Sequence, residues 1–178
     1  MIWILYIGGG LLTIFALILV WGFLHARQSK RKAVQEIQNI ELADIDSLTK
    51  ECVEVFKRKL GVPLDLNNLD DTAQKLDDAC RMPFRLKSAF ERPGFYWHFI
   101  KPVGACLGEL LRRHAKHEWH KKPGQTPYME VHLKNGSSTI FPFEKIMKQV
   151  QSGEPGDLVA YVVFARTIEQ TTEQLTQE

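Results

Sequence analysis

Three histidines within seven residues, His114, His117 and His120, come nearest in this sequence to side chains that could do chemistry. Imidazole is both a metal ligand and a general base, and Glu109 and Glu118 add carboxylates close by. On a helix, His114 and His117 would share one face at i, i+3. His117-Glu118-Trp119-His120, however, is one residue shorter than the HExxH spacing, in which two imidazoles one turn apart reach the same zinc. Lys116, Lys121 and Lys122 also crowd the site with positive charge that opposes a cation. The reading we take forward packs His114 against the core and leaves His117 and His120 in a solvated basic patch. A His-based metal protein or hydrolase is the competing reading, and no cofactor is expected.

The patch itself is a candidate binding surface. Arg112, Arg113, Lys116, Lys121 and Lys122 stand against Glu118 alone, with His117 and Trp119 among them. Such a surface suits an acidic partner protein or anionic lipid. A second candidate has the opposite sign: Asp70, Asp71, Asp77 and Asp78, read as a solvated acidic helix face. These are paired carboxylates, but nothing in the sequence buries one of them to raise its pKa for acid catalysis. The GxSxG elbow, the GxxxxGK[ST] phosphate loop and the GxGxxG turn are all missing from the sequence. We therefore expect no catalytic residue. A formal net charge of +2 over 178 residues is too small for a dedicated nucleic-acid binder. Cys52, Cys80 and Cys106 are odd in number and lack a CxxC pair, which fits free thiols in a reducing compartment.

The elements that must position these residues fall into four stretches. Met1 to Leu24 contains only apolar residues, Gly and one Thr, and Arg27, Lys30, Arg31 and Lys32 follow it. At about 1.5 Å per residue such a helix spans roughly 30 Å of hydrocarbon. The reading is a single-pass anchor over 1–25, with the N-terminus outside and the rest in the cytoplasm of a bacterial inner membrane. A cleaved signal peptide is the rival, but it wants a basic n-region and a small-x-small cleavage site. Residues 26–46 read as a juxtamembrane helix or linker, residues 47–168 as a cytosolic α+β domain, and residues 169–178 as a disordered polar tail.

Within the domain, apolar spacing predicts helices over 48–60, 69–80, Pro102–His117 and 142–152. Ala105 and Gly108 would let a neighbour approach the third of these closely. Met129, Val131 and Leu133 alternate before Asn135-Gly136, and Thr139-Ile140-Phe141 returns, which predicts an antiparallel hairpin. Pro142 suits a first helical turn and Gly153 a stop. Asp157 is a candidate cap for a last helix, 158–167, with a strand as the alternative. The fold class expected is α+β, mostly helical, with one small hairpin.

Residues 64–164 resemble a small α+β family of uncharacterised bacterial proteins. The resemblance rests on Leu64-Asp65, Leu76-Asp77, Gly104-Ala105-x-Leu107-Gly108-Glu109, Trp119, Gly136, Pro142-Phe143, Gly153 and Asp157-Leu158 in that order. It implies a fold and almost no chemistry, with an immunity or accessory role for related domains. The functional expectation is a membrane-anchored, non-catalytic protein-interaction domain. An immunity protein that neutralises a toxin at the inner membrane is the alternative.

Overall fold

Leu69, Ala73, Leu76 and Cys80 recur at helical spacing, and burying that stripe is what organises the domain. A computed structural model describes residues 34–85, 96–115, 117–133 and 136–176, without the side chains of 83–85, 96–97, 131–133, 136 and 168–176. The chain divides into two units, Met1–Glu36 and Ile37–Glu178. Of the first, residues 34–36 are described and are helical.

In the second unit a 3₁₀ turn, Leu42–Asp44, leads into α1, Ile45–Val55, which widens into a π-helical turn at Phe56–Leu60. Gly61 closes it at φ 67°, a left-handed position that favours a residue without Cβ. Asn68 caps α2, Leu69–Arg85, by accepting the Asp71 N–H at 3.2 Å. A turn at Tyr96–Ile100 opens α3, Lys101–His114. Three strands follow: β1 (Glu118–His120), β2 (Tyr128–Leu133) and β3 (Gly136–Ile140). The last elements are α4 (Pro142–Ser152) and α5 (Asp157–Thr176). The fold is α+β, mostly helical, with one antiparallel sheet in the order β1-β2-β3.

α1 packs on α3, α3 on α4, and α2 against both α4 and α5. Register places Trp119 opposite Met129 and Met129 opposite Ile140, a cross-strand row on the face toward the helices. Two glycines on α3 admit a ring from α4 and one from the sheet. A Cβ at Gly104 would lie 2.4 Å from Phe143 Cδ1, and one at Gly108 would lie 2.0 Å from Trp119 Cζ2. Trp119 and Phe143 in turn meet at 5.8 Å between ring centroids. The sheet is thus wedged onto α3 by a tryptophan that needs a missing side chain beneath it.

Several expectations are corrected. The expected hairpin is a three-stranded sheet, because Glu118–His120 adds an edge strand to it. α3 ends at His114, since Ala115 turns to extended backbone at φ −143°, ψ 149°. Core packing begins before 47: Ile37, Ile40 and Ile45 are all buried, so the stretch expected as a linker belongs partly to the core. The helix at 69 runs on to Arg85 through Pro83, which costs it one backbone N–H. α5 is a helix, and its backbone continues to Thr176 where a disordered tail was expected. The segment after 167 has neither Gly nor Pro to stop a helix already packed over its first turns.

The membrane assignment is also corrected. Among the described residues no helix is long and apolar enough to cross a membrane. α5, at 20 residues, carries Asp157, Arg166 and a polar C-terminal half. That finding leaves the single-pass, inner-membrane reading without structural footing. The anchor expected at 1–25, and 26–33 after it, lie outside the described residues.

Gly108→Ala should lower unfolding free energy by about 1–3 kcal/mol, because the new Cβ overpacks the Trp119 ring. In a double-mutant cycle read by urea unfolding, Trp119→Leu should absorb much of that loss. Strict additivity of the two would show that the ring does not sit over Gly108.

Candidate functional site

Asp77 is the side chain on α2 that departs furthest from its expected place. The acidic face predicted it in solvent, yet it is 0% exposed. It lies at i+4 from Ala73 and i+8 from Leu69, so helical geometry puts it on the buried stripe. Its Oδ1 accepts the Gln149 Nε2 donor at 3.0 Å and the Leu158 N–H at 3.1 Å, and its Oδ2 accepts the Gly156 N–H at 2.9 Å. Gln149 also donates to the Glu154 carbonyl at 2.6 Å, inside the turn that joins α4 to α5. Asp77 thus receives the first amides of α5, where the helix dipole favours negative charge. Asp157, the cap expected from sequence, instead pairs with Lys145 at 2.6 Å. Gly156, at φ 77°, gives the turn the left-handed backbone that brings its N–H to the carboxylate.

The other three aspartates are exposed. Asp71 pairs with Lys75 and Asp78 with Arg81, each on its own helix, and Asp70 faces solvent. Among the described residues no ion pair joins this face to the basic end of α3.

The histidines separate. His114 places Nε2 3.0 Å from the Leu66 carbonyl, His117 is buried just past the end of α3, and His120 sits on β1 stacked on Tyr128 at 5.8 Å. The i, i+3 face expected for His114 and His117 does not form, because the helix stops between them. Among the described residues no three His, Cys, Asp or Glu side chains are placed to hold a metal ion.

The basic patch divides too. Glu109 clamps Arg112 through two bonds of 2.8 Å and accepts Arg113 Nε at 3.1 Å. The Arg112 bond, with Arg113 helping against the cost of burial, holds the Glu109 carboxyl below its usual range. Lys116 lies outside the described residues. Trp119 is half-buried over Gly108, its indole N–H buried with no acceptor among the described residues, so it serves as an apolar wedge and not an exposed stacking ring. A hydrogen bond with Cys106, and then burial, push the Cys52 thiol up, and burial does the same to Cys80 with help from the Asp77 charge. Both thiols are therefore poor nucleophiles at neutral pH.

Lys121 and Lys122 mark a different place. They follow β1 and, with Pro123 and Gly124, form one wall of an open groove of about 870 Å³ whose other wall is the segment 38–43. Lys121 reaches across to the Glu41 carboxylate; its side chain is 12% exposed while that of Glu41 is 68% exposed. Lys122 Nζ stands 5.6 Å from the Tyr128 ring centroid and has no carboxylate partner among the described residues. Leu42, on the far wall, is 41% exposed. Sequence reasoning found both lysines but missed Glu41 and Leu42, since nothing local in Glu41-Leu42-Ala43-Asp44 signals a partner eighty residues on.

No family model, curated protein or solved structure matches this chain.

Asp77→Ala takes the acceptor from the buried Leu158 amide, the part-buried Gly156 amide and Gln149, at about 1–3 kcal/mol per buried donor left unpaired, and should lower unfolding free energy by about 3 kcal/mol. Asp77→Asn keeps one acceptor oxygen and should cost less, about 1–3 kcal/mol. Urea unfolding by circular dichroism measures both; an unchanged midpoint in Asp77→Ala would contradict the capping role.

Proposed function

We propose that this protein is a non-catalytic protein-interaction domain that contacts its partner through the groove between segments 38–43 and 121–124. One observation carries the reading. The groove is open, and its walls hold an exposed leucine and a lysine without a carboxylate partner among the described residues. An apolar contact beside an unneutralised charge is the mixture that protein interfaces use.

The side chains with chemical potential support the same reading by where they are engaged. Asp77 caps a helix, Glu109 is clamped by two arginines, and His114 is bonded to a backbone carbonyl. Of the five basic residues expected to form one patch, Arg112 and Arg113 are paired with Glu109, while Lys121 and Lys122 line the groove.

The test is affinity purification of the full chain from its native host, with mass spectrometry of what co-purifies. The expected result is a protein at near-stoichiometric amount that Leu42→Asp and Lys122→Glu remove and Asp70→Lys leaves in place. Retention of that protein by both groove variants would overturn the reading.

A further inference from the structure

The groove that carries the proposed interaction holds a carboxylate of its own, and that detail identifies what enters it. Lys121 sits with its stem largely covered and its ammonium held in place, while the Glu41 carboxylate that neutralises it stays mostly in solvent. A fixed cation facing an exposed, replaceable anion is an exchangeable pair. Glu41 loses little by leaving, because its own carboxylate can hydrate and salt screens the pair, whereas the covered Lys121 still calls for an anion. Lys122 adds a second positive charge on the same wall, held over Tyr128. Two lysines against one glutamate leave the groove net positive with Glu41 in place, and more so once Glu41 is displaced.

We propose that the groove binds an acidic peptide segment, one carboxylate of which takes the place of Glu41 on Lys121 while a second meets Lys122. Glu41 thereby acts as a built-in competitor. Leu42 and Pro123, on opposite walls, give an apolar side chain between the two carboxylates somewhere to rest. This refines the interaction reading above and rests on it.

A peptide fits the groove better than a nucleic acid does. Phosphate tracks need a run of unneutralised basic residues along the surface. Arg112 and Arg113, the basic pair at the end of α3, are already bound by Glu109. The groove also presents apolar surface to its occupant, whereas a phosphate backbone would leave that surface unused.

The experiment is fluorescence anisotropy of the full chain with a labelled pentapeptide, Glu-Glu-Leu-Glu-Glu, and separately with a labelled ten-nucleotide single strand. Saturable peptide binding is expected, weakened about tenfold by Lys121→Glu and severalfold by Lys122→Glu. Glu41→Gln should tighten it about two- to fivefold, the range expected for releasing one exposed ion pair. Salt at 1 M should weaken it, as the Debye length falls to about 3 Å. Lys121→Glu puts a charge at a largely covered site, so circular dichroism checks that it folds; Glu41→Gln and Lys122→Glu sit at exposed positions and decide the matter alone. No saturable peptide binding, Glu41→Gln leaving affinity unchanged, or the oligonucleotide binding as tightly as the peptide would each overturn the proposal. A partner that still co-purifies through the groove while the peptide fails would overturn this inference and leave the interaction reading standing.

Discussion

A carboxylate with no water around it must be surrounded by donors, and in this fold the contact joins three helices at once. Asp77 belongs to α2, Gln149 to α4, and the amides of Gly156 and Leu158 to the start of α5. A buried carboxylate that lost one of these donors would be under-satisfied, which is expensive. The contact therefore fixes the position of α5 relative to α2, the path of the turn between α4 and α5, and the left-handed backbone at Gly156 that the turn needs. Hydrophobic burial of Leu76, Ile146, Leu158 and Val162 supplies the bulk of the driving force, but it is non-directional. The carboxylate gives that burial a single register.

The same logic runs through the other polar groups. Glu109 gathers two arginines, His114 meets a carbonyl from the loop before α2, and Lys145 is shared between Asp157 and the ring of Tyr161 at 5.1 Å. Trp119 is spent on the notch at Gly108. The groove beside Lys122 differs in keeping an exposed leucine next to a lysine that has no carboxylate partner among the described residues. Architecture consumes much of the chemistry that the sequence displays, and the proposed recognition falls to residues whose pairing is weak enough to exchange.

How much of this was legible beforehand depends on range. The stripes on α2, α3 and α4, the Pro142 start, the Gly153 stop and the narrow contour at Gly108 follow from spacing within single elements, and the structure has them. The edge strand at Glu118–His120 was missed because three residues are too few to show alternation. Asp77 was misplaced because an aspartate beside Asp78 reads as solvated, although its i+4 relation to Ala73 put it on the buried stripe. The donors that make this burial tolerable lie about eighty residues away, so no local pattern announces them. The pairing of Lys121 with Glu41 escapes for the same reason. Leu76-Asp77 and Asp157-Leu158, separate pieces of the motif order, are neighbours in space through Asp77 and the Leu158 amide.

Amide hydrogen exchange of the native chain, read residue by residue by NMR, tests the central claim most directly. If the Asp77 carboxylate holds the start of α5 within the core, the Gly156 and Leu158 amides open only when the whole domain does. They should then exchange as slowly as the buried amides of Leu76 and Ala79 on α2. Exchange of the Leu158 amide as fast as that of the exposed turn at 123–125 would show that the first turn of α5 opens on its own, and would contradict the account.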